Sequence, residues 1–461
     1  MRLLNVHTLN LEEFTSERHN LPPEVEYLAP ARSWGEDSDR PRQDYVILSH
    51  RWGDDEVSFK EWRKGLKTSG QGYEKIMQCC EFIKARPDWP QYVWIDTIAI
   101  DKRSSAELSE AGLIAINSMY KWYSQATVCV AYLSDVVGPW PDDQAEFWKR
   151  TLAVVPGSVW FTRGWTLQEL IAPKRVLFCS AEWVVLGWKA PYKLSHQITM
   201  VGGQPSLNKL LSEITGIDEH VFAWPEIWRE QQSVAQRMCW ASRRQTTRPE
   251  DLAYSLLGLF SVNMPLLYGE GASKAFVRLQ LEIIRKSTDE SIFAWEPHPF
   301  LWAGGLLAHS PQVFNHAGNI LSLCNEDPRQ AHNLKDCGPL TDSRFMAGRP
   351  TYQMTNKGLE FRAPAWRLEA GGFPVYILWL ACARRSSDKG EQKRIMYSQS
   401  GRLQHTSQCY VILNANPENR VNDRVQLTRR YHTNEPLFTE FPPETWQDVG
   451  AQWFEIIQDG R

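Results

Sequence analysis

The chain has 461 residues, 43% hydrophobic and 23% charged, with a net charge of −3. That is the composition of an ordinary globular protein long enough for two or three domains. The near-neutral balance gives no electrostatic footprint for nucleic acid. Nine scattered cysteines include no C-x-x-C, so neither a zinc site nor a disulfide framework is expected, and the thiols read as reduced and intracellular.

The first residues, Met1 to His7, lack the long apolar run of a signal peptide. No stretch approaches the ~18 uninterrupted apolar residues of a membrane span. A soluble, cytoplasmic protein is expected.

Residues 20–44 are rich in Pro, Arg and Asp and read as an irregular lead-in. The apolar run Tyr45-Val46-Ile47-Leu48-Ser49 predicts a buried strand that opens into the polar loop His50-Arg51-Trp52-Gly53-Asp54-Asp55. A helix is predicted over Gly72 to Arg86, a strand over Tyr92 to Asp96, and a helix over Ser104 to Gln125. A third strand, Val128 to Leu133, ends at Ser134-Asp135. After an insert containing proline, Phe161 to Ile171 reads as a short helix, and Arg175 to Cys179 as a fourth strand.

Apolar strands alternating with helices predict an α/β fold with a parallel sheet covered on both faces. In such sheets ligands bind beyond the carboxyl ends of the strands, where Ser49 to Asp55, Asp96 to Asp101 and Ser134-Asp135 fall. Residues 191–299 read as a helical extension, with Ser233–Ala241, Pro249–Phe260 and Lys274–Arg285 the clearest helices. From residue 300 to 461 short β-prone runs such as Val375 to Leu380 and Cys409 to Leu413 predict a separate β-rich unit.

Common catalytic signatures are missing: there is no G-x-S-x-G, no H-E-x-x-H and no Walker loop. Gly269-Glu270-Gly271-Ala272-Ser273-Lys274 has the wrong spacing for a phosphate loop and reads as the start of the following helix. A single glycine, Gly53, follows the first strand, so dinucleotide-fold dehydrogenase chemistry is disfavoured. Nothing in the sequence points to a metal.

Three blocks resemble the signature segments of the heterokaryon-incompatibility (HET) domain. They are Tyr45 to Gly53, Trp94-Ile95-Asp96-Thr97 with Ile100-Asp101-Lys102, and Phe161 to Leu170. Gln245 to Asp251 and Asn263 to Gly271 resemble the segment that commonly follows, so the resemblance covers roughly residues 1–296. The family's second block usually has a cysteine near Ile98-Ala99, which is absent here. HET domains in turn resemble TIR domains, in which a helix with the pattern Trp–x–Leu–x–Glu–Leu carries the glutamate of the NAD-cleaving members. Trp165-Thr166-Leu167-Gln168-Glu169-Leu170 matches it position by position.

The resemblance implies a TIR- or flavodoxin-like core over residues 1–190. It implies a cell-death effector of fungal nonself recognition and defence, active when self-associated or brought together by an upstream receptor chain. The implied chemistry is hydrolysis of the nicotinamide–ribose bond of NAD as substrate, with no other cofactor. Glu169 is then the catalytic residue, with Ser49, His50, Arg51, Trp52, Gly53, Asp96 and Trp165 around the substrate. The alternative is a non-enzymatic adaptor that uses the same fold for homotypic contacts.

The residues themselves leave choices open. Thr166-Leu167-Gln168-Glu169 also fits the capping box S/T-x-x-E. Arg51 fits either a phosphate contact or an ion pair with Asp54 or Asp96. Asp96 fits a loop-amide acceptor as well as a substrate contact, and Trp52 and Trp165 fit packing as well as stacking. Ser49 and His50 are adjacent in a strand and face opposite ways, so they do not form a triad.

Overall fold

A computed structural model describes residues 1–14, 44–100, 112–191, 205–224, 231–295 and 306–322, with the strands of residues 353–456 given below. The chain divides into two compact units, Met1–Pro225 and Glu226–Arg461. Asp101, Lys102, the first part of the helix expected from Ser104 and nearly all of the lead-in lie outside the described residues.

The first unit is built on a seven-stranded sheet. Its strands are β1 (Arg2–Asn5), β2 (Leu11–Glu13), β3 (Val46–His50), β4 (Tyr92–Trp94), β5 (Val128–Tyr132), β6 (Val176–Cys179) and β7 (Val185–Lys189). They lie in the order β2-β1-β4-β3-β5-β6-β7. The four strands expected from the sequence are the parallel centre, with Val46 beside both Val93 and Val128 and Cys129 beside Val176. The expectation of a wholly parallel sheet is corrected at both edges, because β1 and β7 run antiparallel to the centre and β2 pairs antiparallel with β1. In order of appearance the parallel strands are arranged 2-1-3-4, which places the topological switch point between β3 and β5.

Every residue of β3 is buried, as a central strand covered on both faces requires. Alternation sends Val46 and Leu48 into a core with Ile76, Cys79, Cys80 and Ile83, which lie on helix α2 (Gln71–Lys84). Helix α1 (Phe59–Lys64) precedes it and starts with a complete Ser58–Glu61 capping box. The loop after β3 is pressed onto the start of α2. A Cβ on Gly72 would lie 2.1 Å from the Asp55 carbonyl oxygen, so glycine permits this approach. The remaining helices here are α3 (Asp96–Ala99), α4 (Gly112–Gln125), α5 (Gln144–Val154) and α6 (Thr166–Ile171), then α7 (Asn208–Thr215) and α8 (Glu219–Ala223). No described helix is long and apolar enough to cross a membrane.

In the second unit the helices are α9 (Val234–Ala241), α10 (Asp251–Tyr254) and α11 (Ala272–Lys286). The long helix expected over Pro249–Phe260 is a single turn of α-helix, after which the chain continues as turns. Strands β8 (Ile320–Ser322), β9 (Gln353–Thr355), β10 (Gly358–Ala370), β11 (Phe373–Arg385), β12 (Thr406–Val421), β13 (Arg424–Tyr431) and β14 (Gln447–Ile456) form a second sheet. Their order is β8-β11-β12-β13-β14-β10-β9, and an added β10–β11 pairing closes five strands into a ring.

Candidate functional site

The carboxyl end of β3 delivers Ser49 to one face of the sheet and His50 to the other, each into its own polar cluster. On the first face Ser49 is completely buried and its hydroxyl donates a short hydrogen bond to Glu169 Oε2. The indole Nε1 of Trp160 donates to Ser49 Oγ at 2.9 Å. Trp160 stands in a 3-10 turn, Val159–Thr162, just before α6. The result is a directed chain, Trp160 to Ser49 to Glu169, that fixes one carboxylate oxygen. Tyr123, on α4, brings its buried hydroxyl to the same place, 3.4 Å from the Leu48 carbonyl.

Glu169 is 6% exposed. Burial pushes its carboxyl up to about 8, and the negative charge of Asp96 adds to the rise. The hydroxyls of Ser49 and Tyr123 and the guanidinium of Arg163 work in the opposite direction. Burial, with the Glu169 charge nearby, also drives the Tyr123 phenol far up. The rise favours the protonated carboxyl near neutral pH, and a positive charge brought close would favour release of that proton to water.

Helix α6 is buried on every side, because all six of its residues are covered. The capping box is not formed. Thr166 Oγ1 donates to the Trp160 and Arg163 carbonyls, and Trp165 stands at the cap position with no side-chain cap. The carboxyl-terminal end of α6 is held instead by Lys189 of β7, whose buried Nζ donates to the carbonyls of Leu170 at 2.9 Å and Pro173 at 2.5 Å. A cation among the last carbonyls of a helix is electrostatically well placed.

On the second face, His50 meets Glu56 and Asp96. Its side chain is 1% exposed, and Nε2 lies 3.8 Å from Glu56 Oε2 and 3.9 Å from Asp96 Oδ1. Those separations exceed hydrogen-bond distance. All three atoms are buried without a hydrogen-bond partner among the described residues. The other oxygens are engaged: Glu56 Oε1 accepts from Lys75 Nζ at 2.5 Å and from Gly53 N at 2.8 Å. Asp96 Oδ2 accepts from Trp52 Nε1 at 2.8 Å. Burial would raise the Glu56 carboxyl, but His50 and Lys75 outweigh it and bring it down to about 2.

The expected residues thus separate into groups. Ser49 and Glu169 are bonded to each other; His50, Asp96, Trp52 and Gly53 gather on the opposite face. Arg51 is exposed on the loop, and Asp96 takes the Trp52 indole. Trp165 is half-buried, and the indole that reaches the Ser49–Glu169 pair is Trp160. Trp160, Tyr123, Glu56, Lys75 and Lys189 were not singled out by the sequence. A surface cavity of about 460 Å³ lies elsewhere, lined by Arg2, Leu11, Glu13, Phe59, Trp62 and Arg63 among others, and includes none of the site residues. Among the described residues no group of three His, Cys, Asp or Glu is disposed to hold a metal ion.

The second unit holds a contrasting polar cluster. Glu250 Oε1 accepts from Gly269 N at 2.8 Å and Gly271 N at 3.0 Å, and both glycines have positive φ, as L side chains rarely do. Tyr268 donates to Asp251 at 2.9 Å, and the Arg248 guanidinium lies 4.4 Å from the centre of the Tyr268 ring. Tyr254 donates to Glu270. Helix α11 starts directly after Gly271, as the sequence suggested.

Residues 45–139 match the family model of the heterokaryon incompatibility protein (HET). That segment contains Ser49, His50, Glu56 and Asp96 and stops before Glu169. The chain is 43% identical over 242 residues to the vegetative incompatibility protein HET-E-1 of Podospora anserina. The match covers 52% of this chain and 16% of that protein, so the chain corresponds to a small part of its relative. No solved structure matches the chain. The family model covers the chain from β3 through β5, including the strand-end loop and Asp96, and over residues 45–139 the chain matches the HET domain.

Proposed function

We propose that the first unit cleaves the bond between nicotinamide and ribose in NAD, as a TIR-like effector of cell death in fungal nonself recognition, switched on by self-association or by a receptor chain. The observation that carries this reading is the buried Glu169, held by Ser49 at the carboxyl end of the central strand. Glycosidic cleavage passes through an oxocarbenium-like state, which a nearby carboxylate stabilises.

The nicotinamide ring enters as a cation. Its positive charge favours the ionised form of Glu169, whose carboxyl gives its proton to solvent water as the substrate binds. The bond from C1′ to the ring nitrogen breaks with its electron pair going to nitrogen, so the ring leaves neutral and needs no acid. Water then adds to C1′ and gives up one proton. Trp160 and Ser49 keep one Glu169 oxygen fixed, which leaves the other to face the developing charge.

The test is nicotinamide release by the purified protein, forcibly clustered, beside Glu169→Gln. Release by the wild type and its loss in the variant support the reading. Absence of release from the clustered wild type would overturn it and leave the non-enzymatic adaptor.

A further inference from the structure

We propose that His50, Glu56 and Asp96 form a subsite for a vicinal diol, such as that of a pentose. The assignment to the ribose next to nicotinamide rests on the function proposed above. Three buried polar atoms converge at ion-pair separation, with His50 Nε2 3.8 Å from Glu56 Oε2 and 3.9 Å from Asp96 Oδ1, and none of the three makes a hydrogen bond among the described residues. Leaving such groups unsatisfied costs about 1–3 kcal/mol each, so the arrangement calls for a polar group from outside.

The atom types identify that group. Two carboxylate oxygens accept only, and an imidazole nitrogen donates or accepts according to tautomer. A vicinal diol offers two O–H donors on adjacent carbons and oxygens that can accept in return. A phosphate offers only acceptors and is repelled by both carboxylates. A simple cation is less suited, because Lys75 already neutralises Glu56 at 2.5 Å.

The position also fits a sugar. The Asp96 and Glu56 side chains are 17% and 14% exposed, so the cluster lies just beneath the surface. Trp52, 42% exposed, extends its indole over Asp96 and gives the sugar face an apolar wall. Asp96 also acts electrostatically on Glu169 across the strand end, so the two faces are coupled through its charge.

The experiment is equilibrium binding of ADP-ribose, and of ADP-ribose whose terminal ribose lacks the 2′-hydroxyl, to the full chain. Neither compound carries the bond that would be cleaved. The expected result is at least tenfold weaker binding of the deoxy compound. Asp96→Asn and His50→Gln, each checked for an unchanged melting temperature, should reduce that ratio to less than about threefold. Equal affinity for the two compounds, no binding of ADP-ribose, or an undiminished ratio in both folded variants would each overturn the subsite. Nicotinamide release without diol discrimination removes the subsite and leaves the activity. Discrimination without release does the reverse.

Discussion

Two polar clusters built from similar residues behave in opposite ways, and the difference separates a site from a scaffold. Around Glu250 in the second unit the named polar groups close on one another: a carboxylate on two backbone amides, a tyrosine on Asp251, another on Glu270. Around the end of β3 the geometry leaves His50, Glu56 and Asp96 each with one buried atom unpartnered among the described residues. Glu250 and Glu169 also shift in opposite directions, while Glu56 is lowered as Glu250 is. The Glu250 carboxyl is held below its ordinary range by its own backbone N–H and those of Gly271 and Gly269, whereas Glu169 is pushed up to about 8. Satisfied carboxylates hold a loop; a buried carboxyl with a raised pKa is suited to act on something brought to it.

Substituting the two glutamates gives the sharpest separation. Glu169→Gln is expected to reduce nicotinamide release by about 100- to 1000-fold, the scale of losing a transition-state electrostatic partner, while the fold is retained. Glu250→Ala, which removes a charged acceptor from two amides, should lower stability by about 3 kcal/mol in denaturant unfolding. A Glu250 variant as stable as the wild type would break the comparison on the scaffold side.

Lys189→Met tests how α6 is held. It leaves the carbonyls at the end of the Glu169 helix without their buried donor, at an expected cost of about 2 kcal/mol. If release per folded molecule also falls, Lys189 positions Glu169; if only stability falls, it is part of the frame.

The pH dependence is smaller but has a definite sign. Because the Glu169 pKa is raised from 4.5 to about 8 in the folded protein, its contribution is complete below 4.5 and is lost as pH rises through about 8. Stability should fall over that window by at most about 1.4 kcal/mol per pH unit, and Glu169→Gln should flatten the slope. Glu250 predicts the opposite: a lowered carboxyl contributes above its ordinary pKa and loses that contribution as acid protonates it.

The central strands were legible because a strand covered on both faces is a continuous apolar run, as in Tyr45 to Leu48 and Val128 to Leu133. The edge strands were not. Arg2–Asn5 is four residues long, and Val185–Lys189 ends in a lysine that is buried only because distant carbonyls receive it. Ser49 and Glu169 could be picked out by position and pattern, but not their hydrogen bond, which spans 120 residues. Trp160 was missed because a 3-10 turn carries no periodicity. Glu56 was missed for another reason. In Asp54-Asp55-Glu56 nothing local distinguishes the acid that pairs with Lys67, which is Asp55, from the one that faces His50.

The most direct measurement is the pH profile of nicotinamide release from NAD by the clustered protein, wild type beside Glu169→Gln. In the wild type kcat/KM should rise with pH through about 8 and level off above it, and the variant should show no such profile. Release by Glu169→Gln at the wild-type rate, with the same pH dependence, would contradict it.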